Sequence, residues 1–207
     1  MSAVSNPFAP SKRNITEERA IDIRDDLMGD DLLVTGPTHP GLSPTLEAPA
    51  EAWSIQAVGP IEGLAVMSLH GGAGATTLTG LLGEGSSDIG RAWPISNNAW
   101  TGAAWPIPVI AVARNDHSGL KAADDFVRSW ANGQLTGSHL SALVLIDAGP
   151  RVSDARRKAT KRLMRIMPQG THIPWMDSWL DAPPDPKRLP GRIKRIIKLL
   201  NTPAPTK

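Results

Sequence analysis

With 207 residues, 41% hydrophobic content and a net charge of +2, the chain holds enough apolar material for one ordinary core with tails, and too little length for a second full domain. It contains no cysteine, which excludes disulfides, thiolate metal sites and thiol nucleophiles. The N-terminus lacks the basic-then-apolar pattern of a secretory signal, and nowhere do about 18 apolar residues run consecutively, so the expectation is a soluble, cytoplasmic protein.

The small net charge hides a division along the chain. Residues 1–63 carry 4 basic and 10 acidic side chains, whereas residues from Arg151 onward carry 14 basic and 4 acidic. Residues 1–60 read as a disordered acidic leader, interrupted by Pro7, Pro10, Pro37, Pro40, Pro44, Pro49 and Pro60 and poor in large apolar side chains. One short helix is expected within it at Thr16–Met28, where Thr16 can cap and Glu17 and Glu18 complement the helix dipole.

The α/β domain is placed at residues 61–182. Residues 64–82, LAVMSLHGGAGATTLTGLL, read as a buried strand, a glycine-rich turn and the start of a helix. Gly71, Gly72 and Gly74 allow successive backbone N–H groups to curl around an anion, and the positive end of the following helix dipole adds to the attraction. Ala73 and Ala75 lie in the same loop. The hydroxyls of Thr76 and Thr77 sit where a magnesium ligand is expected, Thr76 foremost. A glycine-rich strand-to-helix turn that holds no ligand is the plain alternative.

The next segment, RAWPISNNAWTGAAWPIP, has neither a helical nor an alternating period. Trp93, Trp100 and Trp105 could form a lid, a purine-stacking wall or a contact for a protein partner, or they could cap the core; the core reading is favoured because large rings bury wherever they can. From Ile107 the chain becomes regular. IPVIAVA at 107–113 predicts a buried parallel strand, and Ser118 or Asp116 caps a helix with Leu120, Ala123, Val127 and Trp130 on one face, ended by Gly133. LSALVLID at 140–147 predicts the next strand, Ser153 to Met167 a helix, Gly170 its stop, and THIPW at 171–175 another strand. Strands alternating with helices imply a small parallel sheet with helices on its faces.

In such sheets ligands bind beyond the carboxyl ends of the strands, which draws the glycine loop, Arg114–His117 and Asp147–Pro150 to one edge. Arg114 is a possible anion clamp there, and His70 a possible phosphate contact. Asp147, ending an apolar strand, has the position of a magnesium-binding aspartate or of an ordinary turn former.

The glycine loop resembles the deviant Walker A motif of the ParA/MinD family of P-loop ATPases, with His70 and Ala75 standing at its two lysine positions. The resemblance covers residues 64–180. It implies a P-loop NTPase-like fold, ATP or ADP with Mg²⁺ as ligand, and hydrolysis that is slow or absent without the lysines. It also implies that Ile173 and Pro174 approach the adenine, and it makes Asp88, in SSDIGRAWP, an alternative to Asp147 as the acid on the magnesium side. The chain is similar, too, to uncharacterised actinobacterial P-loop-like proteins that share a lysine-free glycine loop, an Asp-x-Gly-Arg-x-Trp-Pro segment and a Leu/Ile-Pro-Trp ending.

Residues 183–207 are expected to form a proline-rich linker and a loosely docked basic amphipathic helix, with Ile193, Ile196, Ile197 and Leu200 on one stripe and Arg192, Lys194, Arg195 and Lys198 between them. The preceding helix carries a second basic stripe, Lys158, Lys161, Arg162 and Arg165. These faces are either merely solvated or attach to an anionic membrane, a protein partner or nucleic acid. Two functions follow: a degenerate nucleotide-binding protein with a regulatory or scaffolding role, or a non-enzymatic adaptor acting through its basic helices and tryptophan loop.

Overall fold

The computed structural model describes residues 33–39, 47, 49, 51–96 and 106–202. Strands β1 (Val34–Thr35), β3 (Leu64–Ser68), β4 (Ser86–Asp88), β6 (Ile107–Asn115), β7 (Ser138–Asp147) and β8 (Gln169–Ile173) form one sheet in the order β1-β8-β7-β6-β3-β4. All neighbours are parallel except β1, which runs antiparallel to β8. Strands β2 (Ile55–Val58) and β5 (Trp93–Ser96) form a separate parallel pair.

Alternation along the central strands sends side chains to opposite faces. Met67, Val109, Ala111, Leu143 and Leu145 face helices α2 (His117–Ala131) and α3 (Asp154–Ile166), where they pack with Phe126, Trp130, Leu163 and Met164. Val66, Ile110, Val112, Val144 and Ile146 face α1 (Ala75–Leu82) and α5 (Gly191–Leu200). The connection from β8 to α5 passes through the short helix α4 (Ser178–Asp181) and a 3₁₀ turn at Pro186–Arg188. The expected α/β architecture is therefore present, with a mostly parallel sheet between two helical layers. Among the described residues no helix is long and apolar enough to cross a membrane.

The ends of the α2–α3 layer are set by side chains. Asp116, not Ser118, caps α2: its carboxylate accepts from the Gly119 amide at 2.7 Å and from the Ser118 hydroxyl at 2.9 Å. Ser153 caps α3 as expected, accepting from the Arg156 amide. Gly133, at φ 69°, follows the last turn of α2. Gly170 does not stop α3. It belongs to β8, where an added Cβ would stand 2.4 Å from Cβ of Met164, so the small residue lets helix and strand approach.

Three boundaries move. The leader was expected to lack a packed fold through residue 60, yet Val34–Thr35 adds to the β8 edge and Ile55–Val58 pairs with β5. Trp53 joins this part to the core, meeting the Phe126 ring edge-on at 5.3 Å. Stretches of two to four residues, Val-Thr and Ile-Gln-Ala-Val, pair where another strand accepts them. The tryptophan segment, expected to be irregular, begins with strand β5, and Trp93 is fully buried with its Nε1 donating to the Thr136 carbonyl at 2.9 Å. Finally, α5 is an integral part of the core instead of a loosely docked tail: Ile193, Ile196, Ile197 and Leu200 are buried together with Leu78, Leu81 and Leu82 of α1. The expected Thr16–Met28 helix, Trp100 and Trp105 lie outside the described residues.

Candidate functional site

The carboxyl ends of β3, β6, β7 and β8 converge on one edge of the sheet. After β3 the chain enters the loop His70–Gly74, where Gly72 (φ 74°) and Gly74 (φ 98°) adopt the left-handed conformation that favours glycine. Gly74 stands at the N-cap of α1, which has neither a capping side chain nor an acidic residue in its first turn. The first amides of that helix have no intrahelical acceptor, and the positive end of its dipole is left uncompensated. A side chain at Gly74 would also press on Ile146, whose Cδ1 lies 2.9 Å from the Cβ position.

Two side chains brace this loop. His70 Nε2 accepts the Arg114 amide at 2.9 Å while Nδ1 bonds the Gly71 carbonyl at 2.9 Å, so the ring pins the glycine turn to the end of β6. Arg114 supplies the positive charge. Its Nε donates to the Gly72 carbonyl at 3.2 Å and its Nη1 to the Asp147 carbonyl at 3.1 Å, two neutral acceptors that orient the guanidinium without neutralising it. Ala75 is buried in the core of the α1–α5 layer, as is Ala73.

Beside the loop lies a cavity of about 600 Å³. Gly74, Thr76, Thr77, Arg114 and Asp147 line one part of it, and Pro174, Trp175, Met176, Trp179, Leu180 and Pro183 supply an apolar wall from the strap that follows β8. This volume is in the range of small-molecule sites. Of the residues expected from sequence, Gly74, Thr76, Thr77, Asp147 and Pro174 are brought together here; Gly71, Gly72, Ala73 and Ala75 form the adjacent turn or its packed underside.

The two candidate acids occupy different surroundings. Thr76 Oγ1 donates to Asp88 Oδ2 at 2.7 Å, and Asp88 Oδ1 accepts the Gly90 amide at 3.0 Å. This exposed pair sets a hydroxyl beside a carboxylate, the kind of hard oxygen donor that a magnesium ion takes. No group of three or more His, Cys, Asp or Glu side chains gathers among the described residues. Asp147, by contrast, is 1% exposed. Its Oδ1 accepts from Asn115 Nδ2 at 2.8 Å and lies 2.9 Å from His172 Nε2, while Asn115 Oδ1 accepts from Thr160 of α3 at 3.1 Å.

Sequence reasoning singles out Asp147 but not its partnership with Asn115, Thr160 and His172, nor the strap beyond Trp175. The available signal was a polar residue ending each long apolar strand, Asn115 and Asp147, with His172 inside a third.

The basic stripes do not form one surface. Lys158, Arg162 and Arg165 are exposed on α3, and Lys194, Arg195 and Lys198 on α5, in layers on opposite sides of the sheet. Arg162 is also engaged, donating to Asp124 of α2 at 2.6 Å.

No curated protein and no solved structure matches the chain. One family model does, over residues 63–197, which spans the glycine loop, the cavity and most of α5. The chain therefore belongs to the Family of unknown function (DUF6668).

Proposed function

We propose that this protein binds a nucleoside di- or triphosphate at the glycine loop and uses it as a regulatory or structural ligand, with little or no hydrolysis. The observation that carries this reading is the convergence of the open α1 N-terminus and the Arg114 guanidinium on one cavity. Backbone amides and a guanidinium bind phosphate oxygens without needing the lysines that His70 and Ala75 replace. Mg²⁺, when bound with the nucleotide, would neutralise phosphate charge, and Thr76 with Asp88 are the residues that fit it.

Turnover needs more than binding. Stabilising a phosphoryl-transfer transition state requires mobile or preplaced cations around the transferred group. Here Arg114 is the single cationic side chain in the cavity lining among the described residues, and Ala75 carries no charge. Affinity is accordingly weak and the site holds its ligand more than it consumes it.

Calorimetric titration with ATP, ADP and GTP, each with and without Mg²⁺, tests the reading alongside a steady-state hydrolysis assay. Saturable binding with hydrolysis at background supports it; turnover comparable to an active ATPase, or no binding of any of the three, overturns it.

A second reading, a non-enzymatic adaptor, draws on the exposed charge of α3 and α5. Since the apolar stripe of α5 is packed inward, such a partner would be recognised by charge alone, and its binding would weaken steeply with added salt.

A further inference from the structure

The edge strand β1 is where the acidic part of the chain joins the fold. Residues Asp22–Asp31 carry Asp22, Asp25, Asp26, Asp30 and Asp31 against one cation, Arg24, and only Leu32 and Leu33 separate them from Val34 of β1. Val34 packs on the α2–α3 side of the sheet. The Gly36 amide donates to the Pro168 carbonyl at 3.1 Å, and a Cβ on Gly36 would stand 2.5 Å from the Arg165 carbonyl oxygen, so the chain passes directly against the end of α3.

The direction of the chain there follows from the topology. β7 and β8 are parallel neighbours, so α3, which joins them, runs back against both. β1 is antiparallel to β8, with Val34 opposite Gly170 and Thr35 opposite Gln169. Traced from Thr35 toward the N-terminus, the chain therefore heads along α3 from its Arg165 end toward its Lys158 end. Lys158, Lys161 and Arg165, at i, i+3 and i+7, form a stripe about 10 Å long. The acidic stretch, fully extended, reaches about 33 Å.

That stripe is uncompensated. Among the described residues no carboxylate pairs with Lys158, Lys161 or Arg165, whereas Arg162 of the same helix is held by Asp124 of α2. The one acid of α3, Asp154, lies in its first turn. The cations of α5 are on the other side of the sheet. We infer that Asp22–Asp31 docks on the Lys158–Lys161–Arg165 stripe of its own molecule. Exposed ion pairs are individually weak, but so short a tether holds the carboxylates at an effective concentration of the order of millimolar, and the contact forms without an outside partner. It shields this stripe from other anions and leaves α5 as the basic face open to them. The inference does not depend on the nucleotide reading.

The test uses the full chain. Because the protein has no cysteine, Met28→Cys gives a single site for a nitroxide label, which broadens the amide signals close to it. The amides of Lys158–Arg165 are expected to lose most of their intensity and those of Lys194–Lys198 to keep theirs. A tail that is merely tethered also visits α3, so the deciding readout is the dependence on charge. Intensity at Lys158–Arg165 is expected to return when Lys158→Gln, Lys161→Gln and Arg165→Gln are combined, and also at about 1 M salt, where the screening length falls to about 3 Å. Broadening that survives either change, that falls equally on Lys194–Lys198, or that never appears overturns the inference. So does equal broadening when nitroxide-bearing copies are mixed with isotopically marked copies lacking the nitroxide, since the contact then lies between molecules. Should the triple variant not fold, the salt comparison decides alone.

Discussion

The two helical layers on the sheet are finished differently. In the α2–α3 layer each helix begins on its own capping side chain, Asp116 or Ser153, and Asp124 ties the layer together by accepting from Arg128 at 2.7 Å and Arg162 at 2.6 Å. In the α1–α5 layer neither helix has a side-chain cap, and cohesion comes from the leucines of α1 against the isoleucines of α5. In the first layer the helix starts are satisfied internally. The other layer leaves one helix end open at the cavity, and it keeps its stability in an apolar seam away from that end.

If the contrast is sound, the largest loss comes from opening the apolar seam. Ile196→Ala should cost about 2–5 kcal/mol, because the side chain is buried and the cavity left behind cannot fully collapse. Chemical denaturation would measure it, and a loss below about 1 kcal/mol would mean that α5 is only loosely attached.

Gly74→Val probes the open helix end. A branched residue forced to φ 98° and toward Ile146 should cost about 1–2 kcal/mol or more and abolish nucleotide binding by displacing the loop amides. A folded variant that binds as wild type does would place the ligand elsewhere.

Removing a cap from the satisfied layer should be milder. Asp116→Ala is expected to cost about 1 kcal/mol with nucleotide affinity little changed. Burial pulls the Asp116 carboxyl upward, but the Gly119 amide and the Ser118 hydroxyl outweigh it and leave its pKa below the usual aspartate range. Because the folded value is the lower one, this contribution is fully present above the usual aspartate pKa and is lost as pH falls through the folded value. Wild type and Asp116→Ala should thus converge in stability under strongly acidic conditions, and parallel curves down to acid would contradict the capping role.

The smallest effect belongs to the solvent-facing pair Lys121–Asp125, 2.8 Å apart on α2. Lys121→Ala should change stability by no more than about 0.5 kcal/mol, since exposed i,i+4 pairs gain little in high dielectric. A larger loss would show that surface charge does more for this layer than capping.

Local patterning determined the central strands, the glycine turn and most helices, since short apolar runs and, at several boundaries, a capping or glycine residue leave few alternatives. It also brought Gly74, Thr76, Thr77, Asp147 and Pro174 to one edge, because the parallel order of the strands dictates where their following loops meet. Tertiary structure decided what short segments and long-range polar contacts do. Val34–Thr35 and Ile55–Val58 become strands only because an open edge or another strand accepts them. The stripe of α5 is apolar whether it faces a membrane, a partner or the core, and only packing against α1 chose the core. Thr76 and Asp88, Asn115 and Asp147, and Asp147 and His172 are 12, 32 and 25 residues apart in the chain. Such pairs have no periodic signature: a hydrogen bond depends on position to within tenths of an ångström, and that precision exists only once the sheet has assembled.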